Sequence, residues 1–373
     1  MKRFLMNVLC ITCFLWLGLV SNIPRVSAAE GDWKARWQKL EQEAKKEGNL
    51  VVYSTTAGDA IREIFTVFQA KYGVKVDYVV GRGRELARRM KSERAASVYV
   101  PDVIMSGGTT LLVVMKPAGL IDSFTGIFIL PDVLDKTAWV AGEMPYLDND
   151  QYGIGFLAIY QRYLTRNTNL VGESELKSYK DILDPKWKGK LVFNDPTVSG
   201  GGNAFVSHLA HDIWGLEKTL DYMRKLVKQE PVITRNTGLQ VEWLAKGKYP
   251  IGIAPMQERV AHFMEAGASL SQVKVVEGGK LTPGVGGLAL ANKRPHPNAA
   301  AIYVNWLLTS EGQALAVKAY KYPGTRVDAP KTGVPSAFYP SPGEKVFRTT
   351  EAYILAGRQM MKHSKNIFGP LIK

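Results

Sequence analysis

The sequence predicts an α/β fold, and three observations lead to that prediction. Apolar strand-like runs alternate with amphipathic helix-like runs over residues 37–108, which is typical of a parallel sheet covered by helices. Several of these runs end in glycine, serine and threonine, as loops at the carboxyl edge of such a sheet often do. The chain of 373 residues is long enough for two domains of ordinary size. It contains no internal repeat and no low-complexity segment.

Local signals justify the elements of the first half. Helix 37–49 closes at Gly48 and helix 59–73 closes at Gly73, because glycine readily adopts the left-handed conformation that ends helices. The other predicted elements are, in order, strand 50–55, strand 74–80, the basic helix 84–97 and strand 101–108.

The second half is less regular. Residues 152–164 form a long apolar segment, which suits a strand that crosses between domains. The elements that follow are a short helix, turn and strand in 178–196, a helix in 215–229, a helix and strand in 238–256, and a strand, proline-marked turn and two helices in 282–319.

The N-terminus predicts export. Lys2 and Arg3 precede an apolar run, residues 4–20, and a small-residue cleavage site stands just before Glu30. These features indicate a cleavable signal peptide over residues 1–29. A retained membrane anchor is the alternative, since the apolar run is long enough for one to be considered.

Cysteine usage and charge restrict the chemistry. Cys10 and Cys13 both lie in the predicted signal peptide, so the exported chain would have no disulfide, no thiol nucleophile and no lipidated cysteine. Removing residues 1–29 lowers the net charge from +14 to +11. The positive residues are spread along the chain, so we expect a field that attracts anionic small molecules rather than a nucleic-acid site.

Three consecutive glycines stand between a strand-like run and a helix-like run, in the stretch DPTVSGGGNAF over residues 195–205. A glycine-rich turn before a helix can bind an anion through its backbone N–H groups, although a plain tight turn is the alternative. A P-loop is excluded because Asn203 and Ala204 follow the glycines, and a dinucleotide fingerprint is excluded because the glycines are contiguous.

Several segments resemble, in the same order, the family 1 extracellular solute-binding proteins, the soluble receptors of ABC importers that include ferric-ion-binding proteins. The resemblance lies in GNLVVYSTTAGDAIREIFTVFQAKYGVKVDYV, RGRELARRMKSERAASVYVPDVIMSG, YKDILDPKWKGKLVFNDPTVSGGG, KRPHPNAAAIYVNWLLTSEGQALA and YPGTRVDAP. It covers nearly all of the chain after the signal peptide. It implies a two-lobed α/β fold, the type 2 periplasmic binding protein, which closes on ligand by a hinge motion.

The resemblance also implies a domain organisation and a set of partners. We expect a periplasmic monomer, without a cofactor, that captures a small solute and delivers it to an inner-membrane ABC permease. The expected segments are the signal peptide 1–29, the first lobe 30–148, the second lobe 149–282, a return to the first lobe 283–325 and a C-terminal helical segment 326–373 that packs on the second lobe.

The expected ligand site combines hydroxyl groups, glycine N–H groups and arginines, which together bind carboxylate or phosphate well. Ordinary surface exposure is the alternative for each arginine, and core packing is the alternative for Tyr152. The candidate residues are Ser54, Thr55, Thr56, Arg82, Arg84, Ser106, Gly107, Gly108, Tyr152, Ser199, Gly200, Gly201, Gly202, Asn203, Arg235, Gln257 and Arg259.

The resemblance raises the question of iron. Ferric-ion binders of this family commonly use a tyrosine pair after the strand that corresponds to YPIGIA, a histidine in the first loop and a carboxylate after the third strand. This chain has PMQER at 255–259, STT at 54–56 and SG at 106–107. We therefore expect an organic or oxyanion ligand and no protein-bound metal, with iron carried together with a synergistic anion as the alternative.

Two further chemistries are weighed against solute binding. His208 and His211 share a helix face next to Asp212, but ordinary helix histidines are the favoured interpretation. Neither a G-x-S-x-G nor an H-E-x-x-H pattern occurs, and Asp148 and Asp150 are expected in a solvated loop, so we do not expect an enzyme. A periplasmic sensor subunit, which would use the same cleft, stays open as an alternative.

Overall fold

The computed structural model describes residues 25–372 except 57 and 141, with side chains from residue 32 onward apart from that of residue 60. Most of the predicted signal peptide, including both cysteines, therefore lies outside the described residues. Within the part that is described, no helix is both long enough and apolar enough to cross a bilayer.

The described chain alternates short strands with helices. The strands are β1 (Asn49–Ser54), β2 (Lys75–Val80), β3 (Val103–Met105), β4 (Ile121–Asp122), β5 (Ile154–Gly155), β6 (Ile159–Gln161), β7 (Leu164–Asn167), β8 (Leu191–Asn194), β9 (Val232–Thr234), β10 (Ile251–Ile253), β11 (Leu270–Gln272), β12 (Gly279–Thr282), β13 (Gly287–Ala291) and β14 (Val346–Arg348). The α-helices are α1 (Arg25–Glu47), α2 (Asp59–Tyr72), α3 (Gly83–Ala95), α4 (Pro131–Leu134), α5 (Gly201–His208), α6 (Leu216–Val227), α7 (Thr237–Ala245), α8 (Gln257–Glu265), α9 (Pro297–Leu308), α10 (Ser310–Tyr320) and α11 (Glu351–Phe368).

The first lobe is built on the sheet β2-β1-β3-β13-β4, with β5 beside β13. Strand β1 runs parallel to β2 and β3, as predicted. Strand β13 lies outside the segment for which a parallel sheet was predicted, and it is antiparallel to β3, β4 and β5. The reason is that β13 enters from the hinge strand β12 and not from a crossover helix, so its direction is not tied to that of its neighbours.

The second lobe is built on the sheet β11-β7-β10-β8-β9. Its β10, β8 and β9 are parallel, whereas β7 is antiparallel to both β10 and β11. Each lobe has its own aromatic core. Phe68 packs on Tyr303 at 5.1 Å in the first lobe, and Phe193 packs on Phe205 at 6.0 Å in the second, measured between ring centroids.

A third sheet, β14-β12-β6, joins the lobes, and we call it the hinge sheet. The apolar segment that the sequence marked as a crossing passes through all three sheets, as β5 in the first, β6 in the hinge sheet and β7 in the second. Strand β12 then leads back towards β13 of the first lobe. The lobes are thus connected by strands that exchange backbone hydrogen bonds with one another.

The last helix, α11, contacts both lobes. Its first turns pack in the first lobe, where Tyr353 and Ile354 join the cluster around Leu111. Its last turn packs in the second lobe, where Phe368 lies 5.5 Å from Phe193 between ring centroids. The predicted segment bounds stay predictions, but the contacts of α11 include the first lobe as well as the second.

The glycine run fixes the start of α5 against the second sheet. Gly202 donates its backbone N–H to Asn194 Oδ1 at 3.0 Å, and a Cβ at Gly202 would lie 1.9 Å from the Asn194 carbonyl oxygen. A Cβ at Gly201 would lie 2.7 Å from the Ala254 carbonyl oxygen. Glycine is required here because the helix begins in contact with neighbouring backbone.

A buried ion pair ties the hinge sheet to the second lobe. Lys280 of β12 donates from Nζ to Asp212 Oδ2 at 2.7 Å, and its ammonium lies 3.6 Å from the centre of the Tyr353 ring. His208 and His211 donate from Nδ1 to the same carboxylate, at 2.7 Å and 2.8 Å. Burial acts to raise the pKa of Asp212, but the hydrogen bonds from His208, Lys280 and His211 outweigh it and lower that pKa to about 2.

We expect Gly202→Ala to lower the free energy of unfolding by about 3 kcal/mol, because the added methyl group overlaps the Asn194 carbonyl. Gly369→Ala is the matched control, since Gly369 has ordinary right-handed helical angles and no atom within 4 Å of an added Cβ. The measurement is urea unfolding of both variants. Equal stability of the two would contradict the close packing at the start of α5.

We expect Asp212→Asn to lower the free energy of unfolding at neutral pH by about 3 kcal/mol, because Lys280 would keep a buried charge without a carboxylate. The folded pKa of about 2 lies below the ordinary value of 3.8. The contribution of the carboxylate is therefore complete above about pH 4 and is lost as the pH falls through about 2.

Urea unfolding from neutral pH down to about pH 3 measures this dependence, and the difference between wild type and Asp212→Asn should shrink as the pH falls. Asp221→Asn, which removes an exposed partner of Lys225, serves as control and should change stability little. A difference that stays constant down to pH 3 would contradict the assigned role of the Asp212 carboxylate.

Candidate functional site

A cavity of about 290 Å³ lies between the lobes beside the hinge sheet, and we call it the cleft cavity. Segments of both lobes, the hinge sheet and α11 all contribute to its wall. The lining residues are Gly107, Gly108, Thr109, Thr110, Gln161, Tyr163, Gly201, Ala204, Thr282, Pro283, Gly284, Thr349, Tyr353 and Ile354.

Two helix N-termini meet at the cleft cavity, one from each lobe. In the first lobe the backbone becomes helical at Gly108, directly after the β3 loop, and stays helical through residue 118. In the second lobe α5 begins at Gly201. First-turn N–H groups have no acceptor within their own helix, and the helix dipole is positive at this end. The cleft cavity therefore receives partial positive charge from two sides.

The side chains of the cleft cavity are neutral. Hydroxyl groups come from four threonines and two tyrosines, and one amide comes from Gln161. Among the described residues that line it there is no carboxylate, imidazole or thiol. Such a set donates and accepts hydrogen bonds but brings no negative charge, so it suits an anionic or polyhydroxyl solute better than a bare cation.

Tyr163 and Tyr353 form an adjacent pair of phenols in this wall. Tyr353 donates its hydroxyl to the Ala204 carbonyl at 2.9 Å, which links α11 to α5. Burial raises the pKa of Tyr163 well above its ordinary value, and the neighbouring Tyr353 raises it further. Burial raises the pKa of Tyr353 as well. Both phenols are therefore neutral at physiological pH and act as hydrogen-bonding groups.

Gly107 and Gly108, two of the predicted first-lobe residues, line the cleft cavity. Ser54 is buried and donates its hydroxyl to the Thr56 carbonyl at 3.0 Å, while Thr55 bonds to the Met105 carbonyl. Ser106 is also buried and pairs its backbone N–H with Gly287. The Ser54 and Thr55 hydroxyls hold the loops together, whereas the buried Ser106 hydroxyl has no hydrogen-bond partner among the described residues. The predicted contact of these side chains with ligand stays a prediction.

Arg82 and Arg84 are exposed, and neither lines the cleft cavity. Gly83 between them packs so closely on Thr110, a cavity residue, that a Cβ at Gly83 would lie 2.3 Å from Thr110 Oγ1. The backbone between the two arginines therefore lies against Thr110, and contact of their guanidinium groups with ligand stays a prediction.

In the glycine loop of the second lobe, Gly201 lines the cleft cavity and Gly202 is buried against β8. Asn203 packs towards α11, where a Cβ at Gly357 would lie 3.3 Å from Asn203 Nδ2. Ser199 and Gly200 are exposed. The loop thus presents one residue to the cavity and uses the next two to position the helix.

The remaining predicted residues lie away from the wall of the cleft cavity. Arg235 donates to the buried Asp195 at 2.7 Å, and Gln257 donates its amide to the Arg162 carbonyl at 2.9 Å. Arg259 is exposed, near the start of α7. Tyr152 packs against Lys116, whose Nζ lies 5.1 Å from the ring centre.

Sequence reasoning did not single out the residues that α11 and the hinge sheet bring to the cleft cavity. Tyr163 lies in the crossing segment 152–164, so a search for polar side chains inside that apolar run would have found it. Thr349 and Tyr353 come from the C-terminal segment, and no local signal marks them, because their place depends on α11 folding back across both lobes.

A bond between the lobes lies beside the cleft. Tyr322, in the segment that follows α10, donates its hydroxyl to Glu258 at the start of α8 in the second lobe. Its ring also approaches Gly284, a residue of the cavity wall. This hydrogen bond is available only when α8 lies against the first-lobe segment, so it stabilises the arrangement of the lobes seen here.

The side chains that resemble metal ligands have other partners. His208 and His211 both use Nδ1 to bind Asp212. Asp148, Asp150 and Glu351 are the acidic group of the described chain close enough to share a cation, and the ammonium of Lys116 already lies within 3.0 Å of each carboxylate. The expectation that Asp148 is solvated is wrong, because Asp148 is buried and accepts the N–H groups of Tyr152 and Gly153.

Comparisons with known sequences support one family. Residues 63–340 match the model of the bacterial extracellular solute-binding protein family. The chain is 24% identical over 289 residues to Iron uptake protein A1 of Synechocystis, an alignment that covers 73% of this chain and 74% of the relative. It is also 24% identical over 279 residues to an uncharacterised protein of Haemophilus influenzae, covering 74% and 77%.

Solved structures show the same fold. The chain is similar to the Trichodesmium protein FutA in complex with iron and citrate, with a TM-score of 0.69, 20% identity and coverage of 87% of this chain and 99% of that one. It is also similar to AfuA of Actinobacillus pleuropneumoniae with bound fructose-6-phosphate, with a TM-score of 0.65, 19% identity and coverage of 86% and 99%. Iron-bound HitA of Pseudomonas aeruginosa gives a TM-score of 0.61 at 20% identity, covering 86% and 99%.

AfuA is a periplasmic binding protein, and the TM-scores show that this chain shares the fold of all three neighbours. The family match spans most of the chain and includes segments of both lobes. The chain therefore belongs to the bacterial extracellular solute-binding protein family, and it is a solute-binding protein of the kind that serves ABC importers.

Proposed function

We propose that this protein captures a small anionic solute in the cleft cavity and delivers it to an ABC permease. In this proposal the protein is a monomer of the periplasm, exported by a cleavable signal peptide and not lipidated, and it binds its solute without converting it. The basic n-region and small-residue cleavage site of residues 1–29 support export. The match to a family of binding proteins supports binding without catalysis.

The observation that carries the proposal is the meeting of two helix N-termini at one neutral cavity. An anionic group placed between Gly108 and Gly201 would accept first-turn N–H groups from both lobes at once. Because one donor set belongs to each lobe, the anion would hold the lobes together. A ligand closes a hinge only if it binds the closed form more tightly than the open form, and an anion that bonds to both lobes at once would do so.

The hydroxyl and amide side chains would bind the rest of the solute. Thr109 and Thr110 lie on the first-lobe side, while Gln161, Tyr163 and Thr282 lie along the hinge strands. Hydroxyl-rich walls of this kind suit the oxygen atoms of carboxylates, phosphorylated compounds and sugars. We further propose that the exposed Arg82 and Arg84 attract the solute to the rim.

Iron is the second candidate, and the relatives favour it. One relative is named for iron uptake, and the FutA structure contains iron and citrate. In this chain the oxygen donors of the cleft cavity are neutral hydroxyls and an amide, and burial raises the pKa of Tyr163 and Tyr353, which opposes phenolate formation. Iron would therefore be held through an accompanying anion such as citrate and not as the bare ion.

A ligand screen by thermal shift tests the solute class. We expect an increase in melting temperature with a carboxylate or a phosphorylated compound, because a ligand that binds only the folded state adds about 2.7 kcal/mol at a hundredfold excess over Kd. Ferric citrate and citrate alone are compared in the same screen. A shift with ferric iron in the absence of any anion would contradict the proposal, and a shift only with ferric citrate would favour the second candidate.

Two substitutions test the location of the site. We expect Thr110→Val and Tyr163→Phe each to weaken binding of the solute found in the screen by about tenfold, because each removes one hydroxyl from the cavity wall. Calorimetry measures the change.

Thr168→Val and Tyr249→Phe are the matched controls, since they remove the same groups from positions outside the cleft cavity. They should bind the solute as wild type does. If all four variants bind equally well, the solute does not occupy the cleft cavity.

A further inference from the structure

A second cavity, of about 620 Å³, adjoins the cleft cavity at the hinge sheet, where Pro283 and Thr349 line both, and we call it the hinge cavity. Within β12 the two walls are separate, since Leu281 lines only the hinge cavity and Thr282 lines only the cleft cavity. Arg348, the register partner of Leu281 on β14, also lines the hinge cavity. None of the residues predicted to bind ligand belongs to it.

The interior of the hinge cavity is apolar. Tyr146, Leu157, Leu281 and Phe338 contribute large side chains, and two exposed valines, Val140 and Val327, extend the apolar surface to its edge. Its volume lies within the range of about 300–1,000 Å³ that is typical of small-molecule sites. A ligand that enters here must therefore carry a substantial apolar part.

The edge of the hinge cavity is basic. Lys331 and Arg348 are exposed and, among the described residues, have no ion-pair partner, whereas Glu143 is the only acidic residue in the described lining. The third cation, Arg326, is already neutralised by Asp132 at 2.7 Å and by Asp328. The charge available to a ligand is thus positive, which is complementary to one anionic group.

The two sides of the hinge cavity are attached to different parts of the protein. The lining residues between 143 and 147 and between 323 and 329 belong to the first-lobe side. Residues 336–340 are held by Arg162, which lies between β6 and β7 and donates to the carbonyls of Ala337 and Tyr339 at 2.9 Å and 3.1 Å. A ligand between them would contact both sides of the hinge.

We propose that the hinge cavity is a second binding site, distinct from the solute cleft, for a small amphipathic carboxylate. The apolar chain or ring lies against Leu157, Leu281 and Phe338, and the carboxylate lies at the edge with Lys331 and Arg348. The site does not depend on the identity of the solute in the cleft cavity.

Calorimetric titration of the purified protein with octanoate tests the proposal, with octan-1-ol as the neutral probe of equal chain length. Octanoate binds at one saturable site, and octan-1-ol binds about tenfold more weakly because it lacks the charge. The double variant Lys331→Gln/Arg348→Gln loses about tenfold in octanoate affinity and keeps its affinity for octan-1-ol. The matched control, Lys218→Gln/Arg224→Gln on exposed positions of α6, binds both probes as wild type does.

The position of the probe is tested separately. Ala158→Phe places a ring in the hinge cavity and abolishes binding of both probes. If this variant fails to fold, the two exposed charge variants decide the matter. Absence of saturable octanoate binding, equal binding of octanoate and octan-1-ol, or equal octanoate affinity of the two double variants overturns the proposal. So does loss of octanoate binding in Tyr163→Phe without loss in Lys331→Gln/Arg348→Gln, because that result places octanoate in the cleft cavity.

Discussion

The buried ammonium of Lys280 is the interaction on which the arrangement of this protein depends. It extends from the middle strand of the hinge sheet to Asp212 in the second lobe, donates to the carbonyl of Arg348 in β14 and lies over the Tyr353 ring of α11. A buried cation is stable only when it is paired and hydrogen-bonded. The hinge strand, the second lobe and α11 are thus held in one geometry, and Tyr353 is placed in the wall of the cleft cavity.

The hinge sheet has a different role on each of its faces. One face carries Lys280 and Thr282, which contribute to the ion pair and to the cleft cavity, while the other carries Leu281 and Arg348, which line the hinge cavity. Because the side chains of a strand alternate, neighbouring residues of one short strand line a polar cavity and an apolar one, and the two cavities meet at Pro283 and Thr349. Any movement of the lobes about this sheet changes the shape of both cavities together, which gives a physical route for one ligand to affect the other.

Helix α11 limits how the lobes can move. Lys116 holds its first turn to the first lobe through Glu351, and Arg358 donates to the Val113 carbonyl, while Phe368 is packed in the second lobe. Opening of the cleft must bend this helix or release one of its ends.

The sequence by itself determined the strand–helix alternation, the small-residue loops at the strand ends and the crossing segment, because these features follow from local periodicity and from the conformational freedom of glycine. It also placed Gly107, Gly108 and Gly201 in candidate loops that do meet at one cavity. Only the tertiary structure decided that Ser54 and Gln257 are engaged internally, that β13 runs antiparallel, that Asp148 is buried and that Tyr163 and Tyr353 share a wall. These outcomes depend on contacts between residues far apart in the chain, such as Lys280 with Asp212, and no local pattern encodes which distant partner a side chain will meet.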